Sequence, residues 1–260
     1  MFDALFTTTT EYKKLSHALS GKGACALFGL PASGRAQVYA ALCRQLDKPL
    51  CIVTPGEAEA TRFAADLNTL GIPAAVFPAR DYVLRPIEGT AREYEYRRLA
   101  VLGELVGGRL RAVAVPAEAL TQFTTPKEDF CANTRTLHAG DTLLRDDLLA
   151  ALFGAGYTRR AQVDGPGQFS VRGDIVDIFA PDQKMPVRME FWGDEIDTLH
   201  TFDLTTQRRE DAIDKFYLSP AREVLFGKPA DATEQLRAFL AKQRGKKKTA
   251  MTDCMAADLD

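Results

Sequence analysis

Short apolar runs alternate with amphipathic stretches through the first half of the chain. Ala24–Phe28, Leu50–Thr54, Ala74–Phe77 and Ala112–Val115 are apolar runs of strand length, and each is followed at once by Gly or Pro. Between them, Arg35–Leu46, Glu57–Leu70 and Arg92–Val106 carry apolar residues at helical spacing. In the second of these, Ala60, Phe63, Ala64, Leu67 and Leu70 share one face. Strands alternating with helices at this spacing predict βαβ units on a parallel sheet, an α/β fold.

The texture changes after Thr134. Arg145–Ala155 reads as a short helix. Phe169–Phe179 then interleaves polar and apolar side chains, which predicts a half-exposed antiparallel strand. Val187–Trp192 and Glu195–Phe202 read as further strands joined by a turn at Gly193-Asp194. A second, smaller α+β domain is therefore predicted over 135–218, after an α/β domain over 1–134. Beyond Pro220, Thr233–Gln243 returns to a helical pattern, and Lys246–Lys248 opens a stretch without a stop signal, which reads as a linker inside a longer chain.

Composition narrows the function classes. The chain has 260 residues, 46% hydrophobic and 26% charged, an ordinary globular balance. Lys and Arg number 33 against 35 Asp and Glu, a net charge of -2, which argues against a globally basic nucleic-acid binder. No apolar run approaches the ~20 residues that span a bilayer, and Met1–Thr7 lacks the pattern of a signal peptide. A cytoplasmic protein with no membrane partner is the expectation. The five cysteines include no Cys-x-x-Cys pair, and the three histidines are scattered, so no local metal site is expected. Cys25 and Cys51 lie in apolar runs and read as buried free thiols.

One loop has the outline of a phosphate cradle. Gly29-Leu30-Pro31-Ala32-Ser33-Gly34-Arg35-Ala36 follows a predicted strand and opens a predicted helix. A working P-loop ends in Gly-Lys-Ser/Thr, the Lys neutralising phosphate charge and the hydroxyl holding magnesium. Here Arg35 stands for the Lys and Ala36 for the hydroxyl residue, while Pro31 removes a backbone donor. Gly29, Ser33, Gly34, Arg35 and Ala36 thus form a degenerate loop, read either as a plain strand-to-helix turn or as a weak anion site. Elsewhere, Arg92, Tyr94, Tyr96, Arg97 and Arg98 mix with Glu93 and Glu95 at i,i+4 spacing, the pattern of a solvated helix face.

Two later segments are specific in combination. Phe169-x-Val171-Arg172-Gly173-Asp174-Ile175-Val176-Asp177-Ile178-Phe179 and Val187-Arg188-Met189-Glu190-Phe191-Trp192-Gly193-Asp194-Glu195-Ile196-Asp197 resemble the module shared by bacterial transcription-repair coupling factors and the excinuclease component UvrB. The resemblance covers nearly all of residues 22–225. UvrB has an intact P-loop and a long aromatic hairpin. Here the loop is degenerate and the corresponding stretch, Arg80–Thr90, is short with one aromatic, which favours the coupling factor.

The resemblance implies a degenerate, RecA-like P-loop domain over 1–134, an inserted domain over 135–218 that binds the excinuclease component UvrA, and a return segment over 219–260. It implies an adaptor in transcription-coupled nucleotide excision repair, with no enzymatic activity and no cofactor in this segment. ATP, Mg2+, RNA polymerase and duplex DNA would be used by modules elsewhere in the parent chain. Arg172, Arg188 and Trp192 would contact UvrA, and replacing both arginines by Ala would weaken binding while leaving folding intact. On the residues alone, the arginines could instead pair with Asp174 or Glu190 and Trp192 could be core. The rival readings are a nucleotide-dependent, UvrB-like ATPase and an independent DNA-binding module.

Overall fold

The computed structural model describes residues 7–21, 24–46, 48–80 and 92–224. Helix α1 (Thr10–Ser20) starts where the Thr9 hydroxyl accepts the Tyr12 backbone N–H at 3.2 Å. Tyr12 and Leu15 bury against Val38, Ala41 and Leu42 of α2 (Ala32–Gln45). Strands β1 (Leu50–Thr54), β2 (Ala74–Val76) and β3 (Ala112–Pro116) form a parallel sheet in the order β1-β3-β2. Helix α3 (Glu57–Thr69) and α2 cover one face, packing Ala36, Ala40, Phe63, Ala64 and Leu67 on Ile52, Ala112 and Ala114. Helix α4 (Glu93–Val106) covers Val113 and Val115 on the other face through Val101.

Ala24–Phe28, predicted as a strand, is not one. It is irregular and exposed, and Phe28 keeps 87% of its surface in solvent. A five-residue apolar run becomes a strand only where an edge pairs its backbone. Among the described residues the edge strand β1 is paired by β3 alone. A second departure accompanies it: Cys25, in this irregular segment, and Cys51, on β1, are exposed rather than buried. Cys51 and Val53 share a face with Val113 and Val115 but lack cover.

After the short helices α5 (Ala117–Leu120) and α6 (Lys127–Ala132), β4 (Arg135–His138) pairs antiparallel with β11 (Lys215–Leu218). Between them lie α7 (Arg145–Gly154) and a six-stranded sheet. Its strands are β5 (Thr158–Arg159), β6 (Gln168–Arg172), β7 (Ile175–Phe179), β8 (Val187–Trp192), β9 (Glu195–Phe202) and β10 (Arg209–Ala212), in the order β10-β9-β8-β7-β6-β5. All pairings are antiparallel except β5 with β6. Leu148 and Leu152 of α7 bury against Phe169, Val176, Ile178, Met189, Phe191, Ile196 and Leu199. The predicted single strand Phe169–Phe179 is a hairpin. Gly173 takes φ +62° as the first of two turn residues, a conformation that favours Gly, and Gly193 repeats it at φ +63°.

A buried polar knot ties Glu223, just beyond β11, to the α/β layer. Arg98, expected on a solvated helix face, is fully buried. Its Nε and Nη2 donate to the Glu223 carboxylate at 2.8 and 2.7 Å, and Nη1 donates to the Pro78 carbonyl at 2.7 Å. Its guanidinium lies 4.0 Å from the centre of the Phe77 ring. The Gln122 amide clamps Arg80, accepting its N–H at 2.6 Å and donating to its carbonyl at 2.9 Å. Nearby, Asp182 accepts the Ser219 hydroxyl at 2.6 Å, while its other oxygen is buried against Gly103 of α4 without a partner among the described residues. Burial pushes the Asp182 carboxyl above its ordinary range, and the Ser219 hydrogen bond pulls the other way. Thr233–Gln243, Lys246–Lys248 and most of the Arg80–Thr90 stretch lie outside the described residues.

Candidate functional site

The degenerate loop comes first in the chain. Gly29 turns at φ +82°, Pro31 caps α2, and Ser33, Gly34, Arg35 and Ala36 already lie within its first turns. The preceding strand of a phosphate cradle is not formed, because Ala24–Phe28 is irregular. Arg35 places its guanidinium 5.8 Å from the Phe63 ring centre, on the flank of α3. Ala36 is core, and Gly34 is packed so closely that a Cβ there would sit 3.3 Å from Pro31. Of the two chemically decisive positions, Ala36 is taken up by packing, while Arg35 stays exposed beside Phe63.

The second candidate is the face of the six-stranded sheet opposite α7, part of which is covered by Val163, Phe179, Phe202 and Leu204. Strand alternation sends Phe169, Val176, Ile178, Val187, Met189 and Phe191 to the core under α7. The opposite face carries Ser170 and Arg172 from β6, Asp177 from β7, Arg188, Glu190 and Trp192 from β8, and Thr198 and His200 from β9. Sequence period and register thus bring Arg172, Arg188 and Trp192 onto one surface.

Their environments differ sharply. Trp192 ends β8 beside the Gly193 turn and is 82% exposed. Arg172 leaves 46% of its side chain in solvent and donates from Nη2 to Asp177 Oδ2 at 2.6 Å. Arg188 leaves only 10%. Its Nε and Nη2 donate to Asp177 Oδ1 and Oδ2 at 2.7 and 3.0 Å, and Nη1 donates to the Gln207 carbonyl at 3.1 Å. The guanidinium also stacks 4.7 Å from the centre of the Phe202 ring. Hydrogen bonding to Asp177 pushes the Arg188 guanidinium above its ordinary value, against a smaller desolvation effect.

Asp177 is the residue that sequence reasoning missed. Its side chain is fully buried, opposite Ser170 on one side and Arg188 on the other. The signal was present: a carboxylate inside Ile175-Val176-Asp177-Ile178-Phe179 must find a cation, since an unpaired buried charge is prohibitively costly. The acidic neighbours suggested by the sequence pair elsewhere, Asp174 with Arg145 at 3.4 Å and Glu190 with Arg209. Truncating Arg188 would strip the buried Asp177 of its bidentate partner, so the expectation that folding survives loss of both arginines is corrected. Two buried oxygens on this side of the sheet, Ser170 Oγ and Gln207 Oε1, have no hydrogen-bond partner among the described residues.

Residues 136–224 match the UvrB interaction domain. The chain is 35% identical over 208 residues to the transcription-repair-coupling factor of Myxococcus xanthus, covering 76% of this chain and 17% of that protein. The corresponding factor of Bacillus subtilis is 28% identical over 219 residues, covering 83% of this chain and 19% of its own. UvrABC system protein B of Chlorobium limicola is 29% identical over 231 residues, covering 83% of this chain and 33% of its own. The chain therefore spans less than a fifth of the length of the two coupling factors, 17% and 19%. Residues 136–224, which carry Arg172, Asp177, Arg188 and Trp192, match the UvrB interaction domain, within a chain that is similar over most of its length to transcription-repair-coupling factors.

Proposed function

We propose that this chain is the N-terminal, UvrB-like lobe of a transcription-repair-coupling factor and acts as an adaptor. It recruits UvrA to stalled RNA polymerase in transcription-coupled nucleotide excision repair. The single observation that carries the reading is the sheet face opposite α7, within residues matching a UvrB interaction domain, on which Trp192 and Arg172 stand exposed above a buried layer. Trp and Arg are among the residue types most enriched at interface hot spots. In this reading the first layer is a degenerate P-loop domain, residues 135–218 are inserted in it, and 219–260 return to it. The lobe works without catalysis or cofactor, in the cytoplasm. ATP, Mg2+, RNA polymerase and duplex DNA are handled by other parts of the parent protein. Because the domain is UvrB-like, this chain and UvrB use the same surface of UvrA. The full chain, added to a complex of UvrA with fluorescently labelled UvrB, displaces the label in a concentration-dependent way; undiminished UvrB binding at saturating chain refutes the reading.

A further inference from the structure

The hydrogen-bond donors on the sheet face opposite α7 divide its residues into two layers. A guanidinium offers five N–H donors. All three nitrogens of Arg188 are engaged, by Asp177 and the Gln207 carbonyl, and its side chain is almost entirely covered. Arg172 engages only Nη2, so its Nε and Nη1 remain free among the described residues. One carboxylate serves both cations, which leaves the cluster with one net positive charge, carried outward by Arg172. The adjoining Glu190–Arg209 pair is neutral.

We propose that Asp177 is the positioning residue of this face: it holds Arg172 in its partner-facing rotamer while being braced from beneath by Arg188. The contact layer is then Arg172 with Trp192, and the support layer is Asp177, Arg188 and Phe202. The geometry explains why one carboxylate must do this. Asp177 sits diagonally across from Arg172 on the neighbouring strand and directly opposite Arg188 on the next. Bidentate bonding to Arg188 fixes both oxygens in space, and Oδ2 then orients the Arg172 fork. Without the carboxylate, two guanidiniums face each other uncompensated, and Arg172 must be ordered anew each time a partner binds. The free edge of Arg172 matches a carboxylate or carbonyl of the partner.

This inference rests on the adaptor reading, and its test separates the two. The full chain is titrated into UvrA by calorimetry, as wild type, Arg172→Ala, Asp177→Asn, Asp177→Glu and the double variant Arg172→Ala/Asp177→Asn, with melting curves for each. Wild type binds, and Arg172→Ala and Asp177→Asn each weaken binding about tenfold or more. The double variant binds within about twofold of Arg172→Ala, because Asp177 acts through Arg172. Asp177→Glu keeps the buried charge paired and the fold intact, and it binds between wild type and Asp177→Asn. Wild type that fails to bind UvrA overturns the adaptor reading and the inference with it. Wild-type affinity in Asp177→Glu and Asp177→Asn, or a further tenfold loss when Asp177→Asn is added to Arg172→Ala, overturns the inference alone.

Discussion

Removing the Glu223 carboxylate is the sharpest test of how this fold is closed. Glu223→Ala deletes both acceptors of the fully buried Arg98, at 2.7 and 2.8 Å, and the 3.6 Å ion pair with Arg80. Arg98 keeps only the Pro78 carbonyl, a marginal contact with Gln122 and the Phe77 ring. Breaking a buried pair by removing one partner costs about 3–5 kcal/mol, because the surviving charge stays desolvated. That is about a fifth or more of a typical total stability of about 5–15 kcal/mol. At roughly 2–4 °C per kcal/mol for a chain of this size, the melting temperature falls by about 6–20 °C. The Thr125 hydroxyl and the Glu95 carboxylate hold the Glu223 backbone, so the side-chain substitution leaves the chain path in place. Urea denaturation followed by circular dichroism gives the free energy directly. Arg98→Met combined with Glu223→Leu removes both charges and recovers more than half of the loss. A Glu223→Ala cost below about 1 kcal/mol refutes the argument, since no desolvated charge would then have been left behind.

Two further predictions concern the rest of the lobe. Burial raises the Asp182 carboxyl above the ordinary value of 3.8, so the folded chain binds that proton more readily than the unfolded chain. Its contribution to stability is greatest below the unfolded value and is lost as pH rises through the folded one. Asp182→Asn keeps an acceptor for Ser219 and therefore melts a few degrees above wild type near about pH 7, the gap closing toward about pH 4; a gap that widens on acidification contradicts this. At the degenerate loop, the full chain with ATP and Mg2+ releases no phosphate above a buffer blank, and Arg35→Lys with Ala36→Thr does not create turnover. Steady hydrolysis by the wild-type chain would show that the loss of the Lys and hydroxyl positions, with Ala36 buried, does not disarm the loop.

What the sequence discloses follows the range of the forces involved. The strands Leu50–Thr54 and Ala112–Pro116 and the helix Glu57–Thr69 are set by local periodicity and were legible. Ala24–Phe28 has the same local pattern but lacks a paired edge, a tertiary condition that no window of residues contains. The Phe169–Phe179 hairpin was missed although its core-facing positions shift from Phe169 and Val171 to Val176 and Ile178 across Gly173-Asp174, a phase break that one continuous strand would not show. Arg98 was misplaced for another reason. Its helix-face neighbours gave plausible partners, yet the real one, Glu223, is 125 residues away. At the face opposite α7, a period of two puts Arg172, Arg188 and Trp192 on one side. It does not say that Arg188 lies beneath and Arg172 above, because that depends on Asp177 and Phe202 from other strands.

The central claim is that an exposed aromatic on this face binds UvrA. Trp192 is 82% exposed and packs on nothing in the core, so Trp192→Ala leaves the melting temperature of the full chain unchanged. An aromatic hot spot is worth at least about 2 kcal/mol, roughly thirtyfold in Kd. Calorimetric titration of UvrA with wild-type and Trp192→Ala chains therefore shows a loss of about thirtyfold or more at equal stability. Equal affinity of the two chains contradicts the account.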